Sequence, residues 1–210
     1  MIFMESYTTI LNEGEYEYED RKSIFISTAA PVKTEEEALS FIAYVKKKYP
    51  DARHHVYAYV LRENSIMRFS DDREPQGTAG MPTLDAIRKN GCTDSAIVTI
   101  RYFGGTLLGT GGLVRAYSAA AIGALNNAKI ITYDLYTTIS VNLSYSDYQK
   151  LTPILATPGV HLEDTEYLDN VCVIISCVTD LYGDIYGKIT EYTSGRAKID
   201  VLEEKFDFKE

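Results

Sequence analysis

The stretch SAIVTIRYFGGTLLGTGGLVRAYSAAAIGALNNA, Ser95 to Ala128, runs from a β-branched segment through Gly104, Gly105, Gly109, Gly111 and Gly112 into an alanine-rich tail. Ser95 to Phe103 reads as a buried strand. Leu113 to Ala128 reads as a helix whose small side chains let it lie close on a sheet. Strand, glycine-rich turn and helix in direct succession call for an α+β chain and raise the question of what the turn holds.

Upstream, Lys22 to Ala30 reads as a strand ended by Pro31. Thr34 followed by Glu35, Glu36 and Glu37 is a helix-capping arrangement. Ala38, Leu39, Ile42 and Val45 form the apolar stripe of that helix, and Lys46, Lys47 and Lys48 lie at its negative end. HHVYAYVLRENSIMRFS predicts two strands joined at Glu63-Asn64. SDDREPQGTAG is a long loop, of the kind that more often carries function, and Pro82 is expected to open a helix that Gly91 closes. Downstream of Asn126-Asn127 the order is LYTTISVNL (strand), SDYQKLTPILAT (helix), VHLEDTEYL and NVCVIISCV (strands), DLYGDIYGKITEYTSG (helix) and AKIDVLEEKF (strand). That β-α-β-β-α-β order predicts a ferredoxin-like domain over 133–210 after a first domain over 1–132. Ser146 and Asp180 are expected to cap its helices, and Gly159 and Gly195 to end them.

The chain of 210 residues is 45% hydrophobic, enough for a real core. No apolar run is long enough to span a bilayer, and the first twenty residues lack a basic segment followed by an apolar one, so a cytoplasmic protein without membrane contact is expected. Cys92, Cys172 and Cys177 form no C-x-x-C pair and fit reduced thiols. The net charge of −9 is unevenly spread. Residues 134–210 hold 6 Lys/Arg against 14 Asp/Glu, a net −8, while 21–133 hold 15 against 10, a net +5. The first domain therefore suits an anionic partner and the acidic second one a protein partner.

Gly104 to Gly109 satisfies G-x-x-x-x-G, but Thr110 and Gly111 stand where a P-loop needs Lys and Ser/Thr. From Gly109 onward, Val114 takes the place of the third glycine of a dinucleotide fingerprint. What survives is a helix start rich in backbone N–H groups, where phosphate could settle with Arg101 and Arg115 as bidentate contacts. The alternative is a tight structural turn whose arginines pair with Asp71, Asp72 or Glu74. Of Tyr102 and Phe103, at most one is expected to face outward and stack. His54 and His55 point to opposite faces of their strand, so only one can join a given site beside Asp71, Asp72 and Glu74. Ser70, Thr78 or Cys92 would need an adjacent base to act as a nucleophile. The sequence calls for no cofactor and no metal.

ARHHVYAY, SDDREPQGTAGMP and TIRYFGGTLLGTGGLVRAYSAA together resemble the IMPACT/YigZ family, over essentially the whole chain and in its bacterial two-domain form. The resemblance implies a first domain of the ribosomal protein S5 domain 2-like fold and a second similar to domains III and V of elongation factor G. The family's characteristic positions fall on His54, Tyr57 and Tyr59, on Ser70, Asp71, Asp72, Glu74, Pro75, Gly77, Thr78, Ala79, Gly80 and Pro82, and on Arg101 through Gly105, Gly109, Gly111, Gly112 and Arg115. Arg73 stands where a glycine is usual, and His55-Val56 replaces an Asn-Cys pair. The resemblance implies RNA or ribosome association in translation and brings no established reaction. The expected function is non-enzymatic: a phosphate-bearing partner sits between the 70–82 and 101–115 loops, with Tyr102 or Phe103 stacking. The rival is a nucleotide- or phosphate-metabolite-dependent enzyme using the glycine turn as its cradle, with Mg²⁺ on Asp71, Asp72 or Glu74.

Overall fold

The computed structural model describes residues 6–209. Residues 1–5, where the expected first domain begins, and residue 210 lie outside the described residues. The chain divides into two compact units, Tyr7–Thr132 and the segment from Tyr133 onward. Both sheets are antiparallel and both units mix helices with strands, so the chain is α+β. Among the described residues no helix is long and apolar enough to cross a membrane.

The first unit contains β1 (Tyr7–Ile10), β2 (Gly14–Asp20), β3 (Ser23–Pro31), α1 (Glu35–Lys48), β4 (His54–Leu61), β5 (Ile66–Ser70), α2 (Gly80–Lys89), β6 (Ser95–Tyr102) and α3 (Gly109–Asn127). Its main sheet has the order β2-β3-β6-β4-β5. β6 is central because both of its faces are buried from Ser95 to Arg101. Ala96, Val98 and Ile100 meet Ala38, Phe41, Ile42 and Val45 of α1. Ile97 points the other way, to Leu84 and Ile87 of α2 and Ala121, Ala124 and Leu125 of α3. The period of two then places Arg101 on the α2/α3 face and Tyr102 on the α1 face. α1 is capped as its sequence predicts: Thr34 Oγ1 accepts the Glu37 N–H at 3.1 Å, and the Glu37 carboxylate accepts the Lys33 N–H at 2.6 Å.

Several boundaries differ from the sequence reading. The acidic segment Gly14–Asp20 forms β2, which pairs with Ser23–Ala29 residue for residue. Its GEYEYED alternation is a strand signal that the charge masks. α2 starts at Gly80, because Asp71 caps it from the preceding loop. α3 starts at Gly109 rather than Leu113, with Gly112 packed so closely that a Cβ there would lie 2.9 Å from Leu108 Cβ. The helix forms there despite the low helix propensity of glycine, with Gly112 lying against Leu108 four residues earlier.

The second unit takes β7 (Ile130–Leu143) from Tyr133 on and adds α4 (Tyr145–Tyr148), α5 (Thr152–Leu155), β8 (Val160–Tyr167), β9 (Val171–Val178), α6 (Tyr182–Tyr192) and β10 (Lys198–Asp207). Strand order is β10-β7-β9-β8, every pair antiparallel. Ile139, Val141, Val173 and Ile175 of the sheet pack on Leu151, Ile154, Ile185 and Ile189 of the helical layer. The helix expected over 146–157 is split by a 3₁₀ turn at Gln149–Leu151, with Pro153 confined to the opening of α5 where its missing N–H costs nothing. Ser144, not Ser146, caps α4, and α6 follows a 3₁₀ turn at Thr179–Leu181 rather than a cap at Asp180. Asp147, almost fully buried, holds Arg196 Nη2 and Lys150 Nζ at 2.7 Å each; these hydrogen bonds, Arg196 foremost, keep its carboxyl well below the usual carboxylate range.

Candidate functional site

The 70–80 loop is organised by Asp71. One carboxylate oxygen accepts the N–H groups of Ala79 at 3.0 Å and Gly80 at 2.8 Å, and the other accepts that of Gly77 at 2.9 Å. The first N–H groups of α2 are thus satisfied from inside the protein. Asp72 accepts the His55 N–H at 2.7 Å, and its carbonyl lies 2.8 Å from His54 Nδ1. Arg73 has φ +71°, the left-handed region in which glycine is at ease, and Gly77 has φ +76°. Thr78 is buried and donates its hydroxyl to the Pro75 carbonyl at 2.6 Å. The Ser70 and Thr78 hydroxyls and the Asp71 carboxylate are therefore engaged in building the loop, and the Asp72 carboxylate ties it to β4.

The third carboxylate lies at the centre of a buried polar cluster. Arg101 is 7% exposed and Glu74 8%. Arg101 Nη1 donates to Glu74 Oε1 at 2.7 Å, Tyr117 donates its hydroxyl to the same oxygen at 2.8 Å, and His54 Nε2 stands 4.0 Å from it. Sheet register explains the meeting, since Arg101 lies directly between Phe25 of β3 and His54 of β4. Its guanidinium carbon lies 5.4 Å from the Phe25 ring centroid and 5.7 Å from that of Phe103, while its Nε has no partner. Burial, and after it the Glu74 charge, push the Tyr117 phenol far above its ordinary value. Tyr117 and Phe25 meet edge to face at 5.1 Å. Sequence reasoning missed both residues. The available signal was an arginine inside an otherwise apolar strand, which needs an internal counter-charge.

Arg101 is therefore the buried partner of Glu74 and not an open phosphate contact, which decides between the two sequence readings at this residue. Tyr57 and Tyr102 are also not at the site, because strand alternation puts them on the α1 face. Tyr57 stacks on Tyr59 at 6.3 Å, and Tyr102 donates its hydroxyl to Asp51 at 3.1 Å. His55 goes with them, its Nε2 lying 2.8 Å from the Tyr49 carbonyl. Phe103 is the exposed aromatic of the pair. Arg115 is exposed and, among the described residues, without an ion-pair or hydrogen-bond partner.

The turn after β6 rests on the β2–β3 connection. A Cβ at Gly104 would lie 2.1 Å from the Lys22 carbonyl carbon, and the Gly104 N–H donates to Ser23 Oγ at 3.1 Å. Only glycine permits that approach. Gly105 and Gly109 have φ +82° and +72°, whereas Gly111 has ordinary backbone and meets nothing closer than Arg115 Nη1 at 3.6 Å. No side chain caps α3, so the N–H groups of Gly109, Thr110 and Gly111, all exposed residues, lack the internal acceptors that α2 obtains from Asp71. Arg21 and Lys22 of the abutting turn are exposed and, like Arg115, unpaired among the described residues. No group of three or more His, Cys, Asp or Glu side chains among the described residues is placed to share a metal ion.

Two family models match the chain: the Impact N-terminal domain over residues 21–125 and a domain of unknown function (DUF1949) over 141–196. The IMPACT family member YvyE of Bacillus subtilis is 35% identical over 198 residues, 93% of this chain and 91% of that protein. The IMPACT family member YigZ of Escherichia coli is 32% identical over 192 residues, 89% and 93% of the two chains. A crystal structure of a protein described only as hypothetical superimposes with a TM-score of 0.59 at 29% identity, covering 97% of this chain and all of the other.

Proposed function

The chain belongs to the IMPACT family, and on that premise we propose that it is a cytoplasmic, translation-associated protein that binds RNA or the ribosome through a phosphate-bearing partner at the start of α3. The observation that carries this reading is the contrast between two neighbouring helix ends. The N-terminus of α2 is closed by Asp71, while that of α3 is left uncapped beside exposed glycines and the unpaired Arg115. Uncapped N–H groups at a positive helix end favour an anion. Arg115 contacts phosphate, Arg21 and Lys22 extend the cationic surface, and Phe103 offers a ring for a base to stack on. Arg101 supports the site from beneath through Glu74, holding the 70–80 loop against β6.

We also read the first unit as ribosomal protein S5 domain 2-like and the second as ferredoxin-like, akin to domains III and V of elongation factor G. Support for the second assignment is its β-α-β-β-α-β order with strands arranged β10-β7-β9-β8.

The test is binding of a short fluorescent single-stranded RNA across a salt series, with Arg115→Ala and Lys22→Ala beside the native protein. Each substitution is expected to weaken binding and to reduce the slope of log affinity against log salt by about 0.7. No binding at low salt, or a slope unchanged in both variants, would reject the phosphate site.

A further inference from the structure

β5 is the last strand of the first unit's sheet and pairs with β4 alone, without a bulge. Two hydrogen bonds show which of its main-chain groups face outward. The His55 N–H donates to Asp72, just past the end of β5, and the Arg62 N–H donates to Asp94, just before β6. Odd-numbered residues of β4 therefore turn their main-chain groups to β5 and even-numbered ones to β6. Register then pairs Tyr57, Tyr59 and Leu61 with Ser70, Arg68 and Ile66, and leaves the N–H and C=O groups of Met67 and Phe69 facing away from the sheet. A side-chain contact agrees, since Arg68 Nη1 reaches round to donate to the Met67 carbonyl at 3.0 Å. Side chains alternate in step. Met67 and Phe69 stand opposite Val60 and Ala58, on the face that packs against α2, and are 44% and 40% exposed. A Cβ at Gly80 would lie 2.9 Å from the Phe69 ring, and the next residue, Met81, is also exposed. Arg68 stands opposite Tyr59 on the α1 face, exposed and without an ion-pair partner among the described residues. Glu35, on that face, accepts the Tyr59 hydroxyl at 2.6 Å instead.

Main-chain donors and acceptors at strand spacing are matched in full only by another extended backbone, which a nucleic acid does not offer. A second copy of β5 fits poorly. The antiparallel register that pairs both outward residues sets Met67 against Phe69 of the other copy, and so Arg68 directly against its own counterpart, where like charges repel. The same geometry names the strand that does fit: an acid opposite Arg68, with an apolar residue on each side of it to lie beside Met67 and Phe69. We propose that the β5 edge binds an extended apolar–acidic–apolar segment of a partner protein as an added strand. An incoming N–H replaces the Arg68 guanidinium on the Met67 carbonyl, and the incoming carboxylate receives the guanidinium so released. The inference uses none of the residues of the phosphate site at α3, so either proposal can fail alone.

The isotope-labelled full-length protein is titrated with the capped peptide Thr-Val-Glu-Val-Thr up to about 1 mM and its amide resonances are followed by NMR, which reads weak binding residue by residue. Saturable shifts are expected at Met67 and Phe69. The Thr-Val-Lys-Val-Thr peptide should bind roughly fivefold more weakly, and the glutamate peptide methylated on both valine nitrogens should not bind. Arg68→Glu should reverse the preference between the two charged peptides. Met67→Pro should abolish binding while leaving the ladder to β4 intact, because the N–H it removes points outward. Should that variant fail to fold, the charge reversal at Arg68 decides. No saturable shift at these amides, equal binding of the two charged peptides, an unchanged preference in Arg68→Glu, or undiminished binding by a folded Met67→Pro would each overturn the proposal. So would oligouridine moving the same amides, or self-association of the native protein that Met67→Pro removes, which would give the edge to a nucleic acid or to a second copy.

Discussion

Replacing Glu74 by alanine is the sharpest perturbation of the first unit, because it removes the shared acceptor of two buried donors. Arg101, 7% exposed, would keep its guanidinium inside the protein without the Glu74 counter-charge, and the Tyr117 hydroxyl would lose the partner it has among the described residues. Breaking a buried ion pair by deleting one member costs about 3–5 kcal/mol, and leaving a buried hydroxyl unsatisfied costs about 1–3 kcal/mol; the two overlap because the donors share one oxygen. A loss of about 4 kcal/mol is expected, a large part of the roughly 5–15 kcal/mol that stabilises a typical domain. At roughly 3–5 °C per kcal/mol for a unit of this size, the melting transition should fall by roughly 10–20 °C. Scanning calorimetry is the suitable assay, since the two units need not unfold in one transition. The double substitution Glu74→Leu/Arg101→Met, which removes both charges and keeps apolar volume, should recover at least half of the loss. A single variant that melts within about 2 °C of the native protein, or a double variant less stable than the single one, would refute the assignment of Arg101 to a buried structural pair.

Gly104→Ala should destabilise the first unit by about 1–3 kcal/mol, because its Cβ would lie against the Lys22 main chain, whereas Gly111→Ala should be neutral or stabilise by up to about 1 kcal/mol. Urea unfolding separates the two, and equal effects would contradict the packing described for the turn. In the second unit Asp147 has a depressed carboxyl. Its contribution to stability is therefore complete above the unfolded value near pH 4 and is lost as pH falls below that toward the folded value. An acid titration followed by circular dichroism should show this loss in the native protein and a flatter profile in Asp147→Asn. Tyr59 works in the opposite direction: burial and the Glu35 hydrogen bond raise its phenol to about 12, so its share of stability is complete below about pH 10 and disappears as pH rises through 12. Tyr59→Phe should lessen alkaline unfolding in that window, and unchanged base sensitivity would contradict the Glu35 contact.

The strands and helices of this chain were legible wherever apolar period and capping chemistry agreed, as at Thr34–Val45 or along Ser95–Tyr102. They were obscured where charge covered the pattern, as in Gly14–Asp20, and where a cap came from a distant residue, as Asp71 caps α2. The site was half legible. Loop chemistry pointed to the right segments, and strand alternation alone could have separated Arg101 from Tyr102 and His54 from His55. That Glu74, rather than Asp71 or Asp72, takes Arg101 depends on loop conformation, which local sequence does not encode. Tyr117 could not be assigned because its role exists only once α3 lies across the sheet.

The link from Glu74 to β6 changes how the 70–80 segment should behave as a piece of chain. Turn-rich, glycine-bearing and partly solvent-facing, it looks like an easy target for proteases and an inviting place to graft a foreign peptide. Yet its Glu74 carboxylate neutralises a buried charge at the C-terminal end of the central strand, and its Asp71 carboxylate closes a helix. Nicking or insertion there would reach the interior, whereas the exposed 105–107 tip, free of such ties, is the position where an engineered tag or cleavage site should leave the unit folded.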